Sequence, residues 1–527
     1  MPAPDDRNGL DRELPFDGSV PPPRFVNIET TRFCNLRCRM CVQFQDGTTV
    51  SGPHMGIDEF EQIAGSVFPY VERWQPSVSG EPLMSRDFLR MLELAERFGV
   101  KAEIYTNGTL LNEAMVKRLA PNLAAVTISF DGASKATFED IREGADFEHV
   151  LGGIRRLIDT CRRTLPADLQ PQIGLACTVM ERNVREVPQL VRLIADIGGD
   201  FLKVNHVFPV TEEMRQQSLA RHVDLARRCF DEALEVAREV GMLFRVEALD
   251  HITAQTALQG DERAFAQLDG VVQGLEAREH VPGKQRPWPL LDPRHPDYRQ
   301  IRARRADAAA RSGFPERTAR RQDAPERGEV WWCEYLWEKA YVSIGGDVRP
   351  CCVMGTPVVG NLTEQTFEEI WNNDTYRAMR QRLAARQPVP VCKGCMHIRV
   401  VKDNAVADQH LGGRPLPAAA ELVPLTPVLD PAQQAPHRTG EPPVLTWPHV
   451  DGAREYELQF SLDRFQSILF STAGPRGGPA IRQNRWEVPR WAWKQAPVDR
   501  EIWWRAVAKT ADAEREVARG SVPAQIA

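Results

Sequence analysis

FVNIETTRFCNLRCRMC, residues 25–41, is the stretch that decides how the rest of the chain is read. FVNIET is short, apolar and partly β-branched, the composition of a strand. It runs straight into Cys34, Cys38 and Cys41, spaced C-x3-C-x2-C. Downstream, strand-like and helix-like stretches alternate. WQPSVSGEP (74–82), KAEIYTNG (101–108), AAVTISFDG (124–132), PQIGLACTVM (171–180) and FLKVNHVFP (201–209) read as the second to sixth strands. Between them lie DEFEQIAGSVF, SRDFLRMLELAERFG, NEAMVKRLA, FEHVLGGIRRLIDTC and VREVPQLVRLIADIG, and HVDLARRCFDEALEVAREVG follows the last. Several are amphipathic at helical spacing, as in Leu89, Leu92, Leu94 and Phe98. Strand–helix alternation implies an α/β fold with a parallel sheet, and six units predict a partial (β/α)6 barrel. The loops after the strand ends should then carry the chemistry.

The bulk numbers set outer bounds. A chain of 527 residues, 42% hydrophobic and 26% charged, has the composition of a globular protein of two to four domains. A net charge of -6 gives no reason to expect nucleic acid as a partner. No apolar run approaches the roughly 20 residues of a membrane span. The opening MPAPDDRNGLDRELPFDGSVPPP is acidic and proline-rich, unlike a signal peptide, so a cytoplasmic location is expected. The 11 cysteines cluster instead of spreading as a disulfide framework, which points to metal.

Three thiolates at the spacing of Cys34, Cys38 and Cys41 can wrap one corner of a cubane cluster and leave the fourth iron without a protein ligand. An amino acid with a free amine and carboxylate can chelate that iron. Structural zinc would need a fourth protein ligand, and no nearby cysteine or histidine supplies one. The loop resembles that of the radical S-adenosylmethionine (SAM) superfamily, and the likeness extends over roughly residues 25–210. Ser79-Gly80-Glu81-Pro82 resembles the family's GEP motif, whose backbone and glutamate receive the methionyl amine. Thr106-Asn107-Gly108 and Ser129-Phe130-Asp131-Gly132 resemble family positions near the ribose and carboxylate. The resemblance therefore implies SAM binding at Gly80, Glu81, Pro82, Asn107, Ser129 and Asp131. It implies a [4Fe-4S] cluster at Cys34, Cys38 and Cys41, and a low-potential donor of flavodoxin or ferredoxin type. The implied chemistry is reductive cleavage of SAM to a 5′-deoxyadenosyl radical that abstracts hydrogen from substrate. Met40 stands where the family often has an aromatic residue.

A second set follows. Cys333, Gly346 and Cys351 fit C-x12-G-x4-C, and Cys392 and Cys395 form CxxC. Four thiolates suit zinc or a fully ligated cluster equally well. The arrangement resembles the family's SPASM/twitch extension, with Asn361-Leu362 and Glu369-Ile370-Trp371-Asn372 like its connecting turn and helix. No cysteine follows Cys395, which is nearer the twitch form, so the resemblance implies one auxiliary [4Fe-4S] cluster on Cys333, Cys351, Cys392 and Cys395. Cys352 competes with Cys351 as ligand. Cys177, on a strand, and His206, near a strand end, are the candidate catalytic side chains.

The expected organisation is an extended arm (1–24), the barrel (25–245), a charged insertion or linker (246–328) that forms a solvated helix or a lid, a small cysteine-rich auxiliary-cluster domain (329–405), a proline-rich linker (406–441) and a C-terminal β-sandwich (442–527). Alternating apolar residues in the last segment, including Trp447, Tyr456, Leu458 and Phe460, resemble a fibronectin type III domain. Three functions compete: net oxidation of a small-molecule or carbohydrate-like substrate, modification of a peptide or protein, and, from another class, a zinc-stabilised binding protein.

Overall fold

The computed structural model describes residues 15–41, 54–247 apart from 210, 262–276, 291–417 apart from 318, 320–327, 353–355, 394 and 396, then residue 422. In the C-terminal part it describes 444–450, 453, 455–461, 470–471, 485–487, 502–510 and 514–522. Two compact units divide near residues 428 and 429.

In the first unit, β1 (Phe25–Ile28), β2 (Arg73–Gln75), β3 (Lys101–Thr106), β4 (Leu123–Ser129), β5 (Gln172–Val179), β6 (Phe201–His206) and β7 (Leu243–Val246) lie side by side, all parallel. The expected α/β fold with a parallel sheet is present, with a seventh strand beyond the six. On β3, Ala102, Ile104 and Thr106 are buried while Lys101, Glu103 and Tyr105 are partly open. Strand alternation therefore puts one set under the helices and the other on the concave face. Lys203 Nζ of β6 donates to Tyr105 Oη of β3 at 2.6 Å. Three strand spacings, about 14 Å, separate these strands, so the pair lies across the concavity.

The strand order continues past β1. After β8 (Val330–Cys333), β9 (Lys339–Val342) pairs in parallel with β1, and β10 (Asp347–Arg349) and β11 (Gly360–Asn361) follow antiparallel. The auxiliary segment thus extends the barrel sheet to 10 strands. A separate two-stranded pair joins β8 to β12 (Ile398–Val401).

Residues 15–24 are built into this unit. Phe16 and Val20 are buried, and Gln381 Nε2 donates to the Phe16 carbonyl at 2.8 Å. Trp371 Nε1 donates to the Pro21 carbonyl at 2.9 Å. The Arg380 guanidinium, fully buried, donates to the carbonyls of Leu336, Gly18 and Trp371 and to Asn372 Oδ1, which satisfies a charge that burial otherwise disfavours.

Within the charged insertion, helix Glu262–Glu276 buries Leu268, Val271, Val272 and Leu275. Helix Tyr298–Ser312 sends Arg304 to the Arg97 carbonyl at 2.9 Å and Arg305 to those of Phe98 and Gly99 at 3.2 and 3.0 Å. It caps the C-terminus of helix Phe88–Arg97, whose last carbonyls lack intrahelical partners. That position precedes β3, at the strand-start side of the sheet. Helix Tyr298–Ser312 is a buttress there.

The second unit contains a two-stranded pair, β13 (Val444–Thr446) with β16 (Arg485–Glu487). It also holds a four-stranded antiparallel sheet in the order β15 (Phe470–Ser471), β14 (Glu455–Ser461), β17 (Ile502–Lys509), β18 (Glu514–Val522). Leu445, Trp447, Tyr456, Leu458, Ala506 and Ala508 form its core.

Candidate functional site: two thiol sets on one sheet

The cysteine loop leaves β1 at its C-terminal end and is laced to the loop after β2. Thr30 N donates to the Pro76 carbonyl at 2.9 Å, and Glu81 N donates to the Phe33 carbonyl at 2.8 Å. Gly80 has φ +76, and a Cβ there would stand 2.7 Å from the Arg32 carbonyl carbon. Glycine is required both for the left-handed turn and for the close approach of the two loops.

Glu81 does more than the resemblance implied. Its carboxylate accepts from Thr106 Oγ1 at 2.8 Å, Asn107 N at 2.6 Å and Leu83 N at 3.2 Å. Both oxygens are thereby engaged in joining the loop after β2 to the loop after β3. Burial pushes its carboxyl up to about 7 despite those donors. Asn107 carries the lacing onward: its Nδ2 donates to Asn35 Oδ1 at 2.8 Å and lies 3.8 Å from Cys34 Sγ. Ser129, the last residue of β4, is partly exposed at the same rim.

Asp131 departs from the expected SAM contact. It is fully buried, its Oδ1 accepts from Thr178 N at 2.6 Å, and its Oδ2 lies 2.7 Å from Arg142 Nε. Its carboxylate faces the protein interior, not the rim. Cys177 and His206 are likewise not concave-face groups. Cys177 pairs across to Val204, and His206 to Val179, all on the helix-covered face. His206 Nε2 accepts from Leu219 N at 3.1 Å, and burial lowers its pKa to about 4. Asn183 Nδ2 lies 3.5 Å from Cys177 Sγ, and burial holds that thiol well above its usual range. Both side chains thus lie on the helix-covered side of the sheet.

Cys34, Cys38 and Cys41 pack against one small apolar cluster with Leu36, Met40, Ile141, Met180, Val207 and Met214. Burial pushes the Cys38 thiol up to about 12, opposed by the Arg142 cation. In the second set, Cys333, Cys351, Cys392 and Cys395 line one hollow together with Tyr335, Thr356, Met379 and His397. Cys352 is not on that wall, so the geometry favours Cys351 of the adjacent pair. Burial pushes Cys333 to about 11 and Cys392 to about 12. Such thiols are protonated at neutral pH and become thiolates when a metal displaces the proton.

The donor sets fit iron–sulfur clusters. Three thiols on one loop and four around one hollow are donor sets of the kind that hold such clusters. Among the described residues no helix is long and apolar enough to cross a membrane.

Comparison with known proteins agrees with this geometry. Residues 28–165 match the Radical SAM superfamily profile, and residues 333–396 match that of SPASM, an iron-sulfur cluster-binding domain. The first match implies SAM and a [4Fe-4S] cluster, and the second an auxiliary iron–sulfur cluster. The tungsten-containing aldehyde ferredoxin oxidoreductase cofactor-modifying protein of Pyrococcus furiosus is 28% identical over 197 residues, 36% of this chain and 53% of that protein. The AdoMet-dependent heme synthase of Methanosarcina barkeri is 30% identical over 180 residues, 34% of this chain and 48% of that protein. The chain thus spans about half the length of these two relatives. Among solved structures, Streptococcus suis SuiB bound to precursor peptide SuiA superposes with a TM-score of 0.44 at 14% identity, covering 72% of this chain and 71% of that one.

Proposed function

We propose that this chain, which carries a radical SAM domain followed by a SPASM cluster-binding domain, is an enzyme that removes a hydrogen atom from a polar small molecule and completes a net two-electron oxidation. The observation that carries the reading is the continuity of the two thiol sets: β1, which leads into the loop of Cys34, Cys38 and Cys41, is flanked by β9 from the segment that holds Cys333 and Cys351. When bound at the first set, the cluster and SAM supply one-electron cleavage to methionine and a hydrogen-abstracting 5′-deoxyadenosyl group. A single cluster on Cys333, Cys351, Cys392 and Cys395 would supply an acceptor for the second electron.

The chain's own residues do the rest. Gly80, Glu81 and Pro82, with Asn107, hold the rim loops in register with the cysteine loop. The concave face is polar: Arg73 Nη1 donates to Glu103 Oε2 at 2.8 Å, and Lys203 reaches Tyr105 at 2.6 Å. Such a face suits a substrate rich in hydroxyl or charged groups, small or carbohydrate-like. A peptide side chain is the alternative occupant. We read the C-terminal unit as a fibronectin type III-like sandwich, supported by its short antiparallel strands and by Val450 N donating to Tyr456 Oη at 2.9 Å. A flavodoxin- or ferredoxin-type donor fits the cytoplasmic setting.

The test is anaerobic reconstitution, iron and sulfide counting, absorbance near 400 nm, and mass spectrometry of SAM products. Iron at both sites and formation of 5′-deoxyadenosine are expected. Zinc in place of iron, or a loaded protein that leaves SAM intact under reduction, overturns the reading.

A further inference from the structure

The cysteine loop has a second neighbour besides the SAM rim. Arg37 N donates to the Glu143 carbonyl and Arg39 N to that of Ile141, each at 3.0 Å. These two bonds run the loop alongside residues 141–143, just past the helix Lys135–Ile141. Cys38 and Arg142 are the middle residues of the paired segments, and their side chains meet. Arg142 Nη1 donates to Cys38 Sγ at 3.7 Å, and both residues are buried.

The guanidinium is held from behind. Its Nε lies 2.7 Å from Asp131 Oδ2, a close buried ion pair. Asp131 is anchored in turn by Thr178 N at 2.6 Å. Asn183 Nδ2 donates to the Asp131 carbonyl at 2.9 Å. The result is a buried series of thiol, cation and carboxylate, closed to solvent. A buried ion pair is weak support for a fold, since apolar residues of similar volume often serve as well. A permanent cation aimed at one thiol of a three-thiol site has another effect. With Cys38 as a thiolate, the N–H donor and positive charge favour the state carrying the extra electron. Net charge, hydrogen bonds to sulfur and exclusion of water are the protein's means of setting cluster potentials. At this burial the interaction is little screened.

We propose that Arg142 is a positioning residue that raises the reduction potential of the cluster on Cys34, Cys38 and Cys41 through its contact with Cys38, and that Asp131 limits the rise. The Asp of the Ser129–Gly132 turn thereby acts on electron entry and not on the ribose. The inference rests on the reading that this site holds a cluster, which iron and sulfide counting establishes beforehand.

The experiment uses the full chain, reconstituted anaerobically, with redox titration followed by electron paramagnetic resonance. The N-terminal cluster is identified by the signal that changes on adding SAM, and the auxiliary signal serves as internal control. Arg142→Gln should lower the reduced-to-oxidised ratio of that cluster at fixed potential by about tenfold, equivalent to about 59 mV for a one-electron couple. Asp131→Asn should move it in the opposite direction, and Arg142→Lys should fall between wild type and Arg142→Gln. The auxiliary potential should stay in place. An Arg142→Gln protein with full iron and an unchanged potential overturns the proposal. Should that variant lose its cluster, Asp131→Asn decides: a raised potential supports the proposal, and an unchanged or lowered one overturns it. Loss of the N-terminal cluster in all three variants makes Arg142 a structural clamp, which also overturns it.

Discussion

Three thiols that arrive together on the loop from Cys34 to Cys41 differ in construction from four thiols gathered between Cys333 and Cys395. The first set is held by its surroundings: Asn107 at Cys34, Arg142 at Cys38, and the loop after β2 beneath. The second is gathered from separate pieces. Its thiols come from the end of β8, the turn after β10 and the segment before β12, around a hollow that Leu336, Met379 and Leu383 also wall. A site embedded in a finished fold can lose its cluster and leave the fold standing. A site whose ligands join separate pieces draws part of its folding energy from the metal.

The largest expected effect falls on the first set. Replacing Cys34, Cys38 and Cys41 together by alanine should abolish 5′-deoxyadenosine formation while iron at the second site persists. Mass spectrometry and iron counting check both halves, and undiminished SAM cleavage would break the comparison.

Next comes the second set. Cys392→Ala with Cys395→Ala should leave a folded protein that still cleaves SAM but loses oxidised product, and it should melt at lower temperature than the first triple variant. Circular dichroism, deoxyadenosine and product analysis separate these. Full oxidised product from a folded, SAM-competent variant would refute an electron-acceptor role.

A smaller effect concerns Glu81, whose carboxyl is raised to about 7 by burial. Its folded pKa lies above its unfolded one, so the associated stability is complete below the unfolded value. That stability is lost as pH rises through about 7. The full swing is roughly 3 kcal/mol at 1.36 kcal/mol per pKa unit. Melting temperature followed from pH 5 to 8 should fall more steeply in wild type than in Glu81→Gln. Equal slopes would show that the loop junction does not carry this linkage.

The smallest effect should come from removing the C-terminal unit. A chain ending at Val428 should hold both clusters with little change. A chain ending at Arg414 loses the Pro415 carbonyl that accepts from Phe16 N at 2.9 Å, and should melt earlier. Loss of iron on truncation at Val428 would mean the unit is needed by the cluster-bearing part.

What was legible in the sequence was mostly local. Six strands, their order and the cysteine loop follow from alternation and spacing. That Cys177 and His206 lie on the helix-covered face is also legible. His206 has the parity of Leu202 and Val204, the apolar positions of β6, and Cys177 alternates with Gly174 and Ala176 on β5. Asp131 is different. Its turn resembles a ligand-binding one, and nothing nearby says that a buried arginine 11 residues later claims the carboxylate. The pairing of β9 with β1 and the burial of Phe16 were equally silent, because contacts between distant segments leave no periodic trace in either one. Cys351 and Cys352 cannot be separated by spacing, and only the wall of the hollow distinguishes them.

The parallel pairing of β1 with β9 has a consequence for biogenesis. Phe16 finds its partner Gln381 at a sequence separation of 365 residues, and β1 acquires its second neighbour only with residues 339–342. During synthesis the cysteine loop therefore emerges early, but the strand before it gains its second neighbour late. Contacts of such long range are slow to form. Iron delivery to Cys34, Cys38 and Cys41 is then best timed after the ribosome has passed the auxiliary segment, which places cluster assembly at the end of folding and leaves the early thiols to be guarded meanwhile.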